Sequence, residues 1–380
     1  MPGWAWLTDF TYTRGFLFRV LIKAVVLFIA VNVLFALVNP IPLLGKMSVY
    51  NVLVRGRERL PYGEHPAAYN LSLYSIDAMF ASHVVSTPKP SGEYRVFLIG
   101  DSSTWGILLD NDETLAGMLN AANLQFDGRN ARFYNLGYPI LSATKDLLLL
   151  DYALRYHPDM VIWLISLDSL PMSDQLRPPL LQNNAANVRD LIARYGLPID
   201  PNDPALVDPT FIDQTLVGQR RALADWLRLQ LFGFAWQNTA IDQVYPDFNR
   251  PTNDFEAGDL AWSTFSEPAA LTHDVLAFAM IDAGRAALDD IPLLIVNEPI
   301  YIADGANSDA RYNLWYPRWA YDQYRQLLAD HANTRDYAFL DVWDFIEPER
   351  FTDSPVHYDA VGTRRLSEQL AVVLSEIASR

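Results

Sequence analysis

The sequence contains no cysteine. That excludes disulfides, thiolate metal sites and a cysteine nucleophile. It leaves the compartment open, because a large secreted domain can lack disulfides. Basic residues are scarce: 29 Lys and Arg stand against 45 Asp and Glu, a formal charge of −16. Such a balance argues against a general nucleic-acid binder, which carries a basic face. Metal-ligand patterns are thin as well. No His-x-x-x-His pair with a glutamate occurs, and His65, His83, His157, His273 and His331 read as structural. What is abundant is apolar: 51% hydrophobic and 13% aromatic residues exclude a disordered chain. At about 100–200 residues per domain, the length allows two or three domains or one large one.

The charge is unevenly placed. Residues 1–60 hold seven basic residues and two acidic ones, a net +5, so the remaining 320 carry −21. Ala24 to Leu44 reads AVVLFIAVNVLFALVNPIPLL without a charge. This is the length of a membrane-spanning helix of about 20 residues. Counted from residue 15 to 44, it would meet the lipid bilayer directly, with Arg19 and Lys23 snorkelling to one interface. Trp4, Trp6, Phe10 and Tyr12 would form the interfacial belt. The alternatives are a cleaved signal peptide and a buried core helix. The run exceeds a signal h-region of about 7–15 residues, and no small-x-small cleavage site follows. Arg19 and Lys23 lie closest to the run, which favours a single-pass protein with the large domain outside the cytoplasm.

Residues 46–92 read as a linker with Pro61, Gly63, Pro66, Pro88 and Pro90, and a short helix within Tyr69–His83. From residue 93, short apolar strands alternate with amphipathic helices. Strands fall at Tyr94–Ile99, Arg132–Leu136, Met160–Ile165, Pro292–Asn297 and Tyr337–Val342. Helices fall at 112–124, 144–156, 267–289, 316–331 and 360–378. That alternation implies an α/β fold with a five-stranded parallel sheet covered on both faces. The 125 residues from Leu167 to Ile291 exceed any ordinary crossover and read as an insertion, with a helix near 215–232. The expected organisation is an anchor (1–45), a linker (46–92) and one domain (93–380) enlarged by the 167–291 insertion.

In open parallel sheets, ligands bind beyond the carboxyl ends of the strands. After the first strand comes Gly100-Asp101-Ser102-Ser103-Thr104-Trp105-Gly106. Ser102 falls at a strand-to-helix turn, where backbone N–H groups favour a developing oxyanion. A plain helix cap explains the same residues equally well. After the last strand comes Asp353-Ser354-Pro355-Val356-His357, ahead of the final helix. An imidazole there can take the serine proton, and a nearby carboxylate can orient it. A surface histidine is the alternative.

Together these motifs resemble the SGNH/GDSL hydrolase superfamily over residues 93–166 and 290–380. LIGDSSTWG resembles the family's first block with Ser102 as nucleophile, and His357 resembles its last-block histidine. The resemblance implies a three-layer α/β/α, flavodoxin-like fold, and ester hydrolysis or acyl transfer. O-acetyl groups on glycans are the substrates of many membrane-anchored or secreted relatives. No metal or organic cofactor is implied.

The chain departs from the family pattern in three places. In Asn135-Leu136-Gly137-Tyr138-Pro139-Ile140, Gly137 is present but Ile140 stands where the donor glycine belongs. In Ile165-Ser166-Leu167-Asp168, Leu167 replaces the donor asparagine. Asn183 and Asn184 are the nearest substitutes, with turn residues as the plainer explanation. The aspartate lies four residues before the histidine instead of three, as Asp353, with Asp359 a lesser candidate. Asp101 reads as support for the turn. Two functions follow. The first is an esterase or acyltransferase acting on an acylated glycan or other ester. The second is a degenerate scaffold in a membrane complex, with the insertion facing a membrane-protein partner. A third, a glycan-binding module, rests only on the aromatics Tyr312, Trp315, Trp319 and Tyr321.

Overall fold

The computed structural model describes residues 13–54, 56–63, 74–239, 243–245, 247–252, 260–335 and 337–377. Trp4, Trp6, Phe10, Tyr12, His65 and the 69–73 start of the expected linker helix lie outside them.

The chain enters through α1 (Arg14–Val38), whose Thr13 side chain caps the Phe16 N–H. Nearly all of this helix is exposed and apolar, and it is long and apolar enough to cross a membrane. It is shorter than the uncharged run. Asn39 turns left-handed at φ 42° and Pro40 cannot continue the hydrogen-bond ladder, so the helix stops at Val38. Two short helices follow, α2 (Ile41–Gly45) and α3 (Val49–Leu53), then α4 (Ile76–Ser82).

The sheet comprises β1 (Glu93–Ile99), β2 (Gln125–Phe126), β3 (Arg129–Asn135), β4 (Met160–Ile165), β5 (Leu293–Asn297) and β6 (Ala338–Asp341). Its order is β2-β3-β1-β4-β5-β6. Five strands are parallel, and β2 adds a two-residue antiparallel edge that the sequence reading did not include. Without β2 the order is 2-1-3-4-5, the flavodoxin-like arrangement.

Successive residues of the strands serve opposite cores, as period-2 alternation requires. Val96, Leu98, Ile162 and Leu164 face one cluster, while Phe97, Ile99, Val161 and Trp163 face the other. Helices α5 (Ser102–Trp105), α6 (Leu115–Ala121) and α7 (Ala143–Ala153) follow the first strands. The insertion carries α8 (Pro179–Gln182), α9 (Ala185–Tyr195) and α10 (Arg220–Thr239). The chain closes with α11 (Phe278–Leu288), α12 (Arg318–Arg335) and α13 (Ala360–Ile377). Helices α6 and α13 cover one face; α4, α7, α11 and α12 cover the other. The result is three-layered.

Two helices differ from the sequence reading. Residues 267–277 are turns, including the Thr272 carbonyl bonded to Val275 and Leu276, and the helix begins only at Phe278. The insertion helix runs 220–239, because residues 210–219 are held in turns by Thr210, Asp213 and Thr215. Part of the 46–92 segment belongs to the core: Leu60, Ile76, Met79 and Phe80 are buried in the larger cluster.

Candidate active site

The nucleophile turn is built by close packing. β1 is buried along nearly its whole length and hands over to Gly100. Asp101 caps α5, its Oδ1 accepting the Ser103 N–H at 2.8 Å. Gly106 closes the helix at φ 90°, a left-handed turn that suits glycine. Gly137, leaving β3, lies against this turn; a Cβ there would come within 2.5 Å of the Trp105 nitrogen. Only glycine lets the two loops approach so closely. Neighbours of β1 leave in opposite directions along the sheet, so Ser102 stands at the topological switch point.

His357 reaches it from the other side. Phe351 and Tyr358 form an antiparallel bridge, and Thr352 N–H donates to the His357 carbonyl at 2.8 Å. Residues 351–358 are thereby a small hairpin with Pro355 near its tip, the Pro355 carbonyl accepting from Tyr301 N–H. Across that hairpin His357 Nδ1 meets Asp353 Oδ1 at 2.7 Å. This is how an aspartate four residues before the histidine reaches its ring nitrogen. His357 Nε2 lies 2.7 Å from Ser102 Oγ. With Nδ1–H donating to the carboxylate, Nε2 is the lone pair that accepts the serine hydrogen. Burial pushes the Asp353 carboxyl up. The hydrogen bond from His357, with the charge its ring carries when protonated, outweighs this and holds the carboxyl below its ordinary value. Asp359 faces away, capping α13 through the Val361 and Gly362 N–H groups and pairing with Arg350.

Under Ser102 lies a buried acid pair that the sequence left half-read. Glu298 follows β5 and is fully buried. Its Oε2 accepts from Ser103 Oγ. Burial pushes its carboxyl well above the ordinary range, and the neighbouring Asp101 carboxylate pushes it further. Asp101 Oδ2 and Glu298 Oε1 each lack a donor among the described residues. Nearby, Lys145 ties the Gly100 carbonyl at 3.0 Å and pairs with buried Asp146 at 2.8 Å. The turn is thus fixed from below.

The oxyanion side is different. Gly137 spends its N–H on Asn135 Oδ1 at 3.1 Å, so its role is packing and it is not a free donor. Leu167 is fully buried in the larger core and presents no polar atom. Asn183 and Asn184 are not brought to Ser102. Their amides donate to the carbonyls of Pro179, Leu180 and Tyr74. They line a separate cavity of about 900 Å³ between α2 and the insertion. Ile140 is the informative residue. It holds φ 76°, a left-handed conformation that strains a β-branched side chain and suits glycine. Among the described residues, no hydrogen bond closes on the N–H of Ser102 or of Ile140. Both backbone donors are therefore unpaired among the described residues. The sequence signal for Ile140 was its position; its backbone geometry was not visible.

A cavity of about 270 Å³ lies beside Asp353, lined also by Tyr301, Asn313, Trp315 and Arg250 among others. Of the four aromatics noted in the sequence, Trp315 lines it, whereas Tyr312 and Tyr321 are core residues. Asp168, after β4, accepts from Trp262 Nε1 at 2.9 Å, and burial pushes its carboxyl up to about 6. Among the described residues no group of three His, Asp or Glu side chains converges as a metal site requires.

Strand order, the serine after the first parallel strand and the histidine before the last helix have the arrangement that the resemblance to the SGNH/GDSL superfamily implies. No protein-family model matches the chain, and no curated protein matches its sequence. Solved structures similar to it include a carbohydrate acetylesterase from Sinorhizobium meliloti, at 14% identity, covering 74% of this chain and 99% of that one, with a TM-score of 0.34. The M. smegmatis aryl esterase is similar at 13% identity, covering 74% and 98%, with a TM-score of 0.34. A member of the lipolytic G-D-S-L family from Veillonella parvula is similar at 12% identity, covering 74% and 98%, with a TM-score of 0.35.

Proposed function

We propose that this protein is a membrane-anchored serine esterase or acyltransferase, acting on an ester such as an O-acetyl group of a cell-surface glycan. The observation that carries the reading is the continuous chain Ser102–His357–Asp353, with both contacts at 2.7 Å. Ser102 Oγ attacks the ester carbonyl and its proton passes to His357 Nε2. Asp353 stabilises the imidazolium. The tetrahedral oxyanion is met by backbone N–H groups, those of Ser102 and Ile140. Collapse expels the alcohol, which takes the proton from His357 and leaves an acyl-serine. Water, or the hydroxyl of an acceptor, then attacks with His357 as base and regenerates the serine. The cavity beside Asp353, with Trp315 and Arg250 on its walls, is where the alcohol part would lie. Helix α1 would hold the domain at the membrane, outside the cytoplasm by the placement of Arg19 and Lys23.

A second reading, an inactive scaffold within a membrane complex, draws on Leu167 and Ile140 replacing two oxyanion elements. Fluorophosphonate labelling separates the two. The intact protein should be labelled and Ser102→Ala should not. Equal labelling of both sinks the assignment of Ser102, and an unlabelled intact protein favours the scaffold.

A further inference from the structure

The 207–239 part of the insertion is apolar where a soluble domain would be polar. Helix α10 shows this most clearly. At 3.6 residues per turn, Leu229, Gly233 and Trp236 share one side, and Leu227, Leu231 and Phe234 share a side roughly opposite. The first set is buried against the domain. The second is exposed, Leu231 at 67%. Arg221 and Arg228 ride between the two apolar sides. Just before the helix, Val207, Phe211, Ile212 and Val217 are exposed too, Ile212 at 74%. A helix apolar on two faces has one face for the protein and one for something else.

Helix α1 indicates what that is. Its one buried polar side chain is Asn32, whose Nδ2 donates to Phe28 O at 2.9 Å. Its Oδ1 accepts the Val217 N–H at 3.0 Å, from 185 residues along the chain. Asn32 precedes the helix end by six residues, about 9 Å at 1.5 Å per residue. The insertion therefore reaches down the flank of α1. Helix α1 is 25 residues, about 37 Å and enough to cross the ~30 Å hydrocarbon layer, and the insertion lies against its C-terminal half. The residues that follow are also exposed and apolar: Leu43, Met47, Val52 and Leu53. Gln230 of α10 fastens the insertion to them, accepting from Val49 N–H at 2.8 Å and donating to the Met47 carbonyl.

We propose that segment Val207–Val217 and the outer face of α10 form a second membrane element, entering the bilayer beside α1. The domain then lies on the membrane at two points and does not swing on a tether. This rests on α1 being the membrane-spanning helix of the reading above. Amphipathic elements of this kind bind by burying an apolar face at the boundary between headgroups and acyl chains.

The absence of cysteine makes the test direct. Single replacements Leu27→Cys, Ile212→Cys, Leu231→Cys and Val372→Cys in the full chain each give a unique thiol. The fluorophore bimane is attached, and the protein is reconstituted in phosphatidylcholine vesicles with or without doxyl-labelled acyl chains. Bimane at Leu27, Ile212 and Leu231 should be quenched at least about twofold by doxyl lipid, and at Val372 on α13 hardly at all. If Ile212 and Leu231 behave like Val372 while Leu27 is quenched, the second element is wrong and the anchor stands. If Leu27 is unquenched too, the anchor reading fails and this proposal with it. Ile212 or Leu231 shielded from aqueous iodide but untouched by doxyl lipid would mean that protein covers the face, and this also overturns the proposal.

Discussion

The two halves of the site around Ser102 were built to different standards of hydrogen bonding. On the proton-transfer side, each side chain has a partner: Ser102 to His357, His357 to Asp353, and Thr352 donating to Asp353. On the oxyanion side, side-chain donors are missing, Leu167 is sealed in the core, and Ile140 holds a strained φ. What survives there is backbone. A proton relay depends on side-chain identity, whereas an oxyanion can be met by N–H groups that any residue carries. The contrast explains how a site can lack side-chain donors on one side while its Ser–His–Asp chain stays intact.

The contrast can be broken from its strong side first. His357→Gln should lower kcat/KM on a chromogenic acetyl ester by roughly 10⁵-fold, as loss of a triad base does elsewhere. A drop of less than about tenfold would mean that the relay is ornamental. Asp353→Asn should cost about 10⁴-fold by favouring the wrong imidazole tautomer. The pH dependence has a definite sign. Because the Asp353 carboxyl is held below its ordinary value, its contribution persists above the ordinary carboxylate range. It is lost as pH falls through the lowered pKa, and Asp353→Asn should abolish that dependence in the acid limb of kcat/KM. On the weak side, Leu167→Asn should not restore a donor. Its amide would be buried without a partner, costing about 3 kcal/mol in a denaturant titration. A faster, equally stable variant would show that Leu167 does border the oxyanion. The smallest effect is expected from Ile140→Gly. It relieves the backbone and opens space around an N–H already present, so kcat/KM should rise only about threefold to tenfold, well below the ~10²–10³ of a whole donor. A fall would show that the Ile140 side chain holds substrate.

Much of this was legible in the sequence, and the reasons are physical. Strands β1, β4 and β5 are continuous apolar runs because both faces are covered, and such runs are read easily. Ser102 and His357 could be paired in the sequence because each sits next to a strand or helix whose position was already fixed, and they lie 2.7 Å apart. Asp353 required only that a five-residue loop bend at Pro355. Asn183 and Asn184 were misplaced because their location depends on the path of a 125-residue insertion, which no local pattern encodes. Glu298 gave no signal of its own, because its burial and its bond to Ser103 come from a turn some 200 residues away in the chain. The end of the first helix was overrun because composition stays apolar past Pro40 while the backbone turns.

Arg59 gives the short segment after the anchor an importance that its sequence conceals. Its guanidinium stacks 4.4 Å from the Trp105 ring and donates to the carbonyls of Gly106 and Leu109. Trp105 in turn donates its indole N–H to the Leu60 carbonyl at 2.8 Å. The last turn of the nucleophile helix is therefore moulded on residues 57–60. Anyone preparing a soluble form would be tempted to cut at Glu93, where the sheet begins. That cut would remove the mould and leave Trp105 facing water. A soluble version that keeps the Ser102 turn intact has to start upstream of Arg59, so the practical boundary of the folded unit lies more than thirty residues before its first strand.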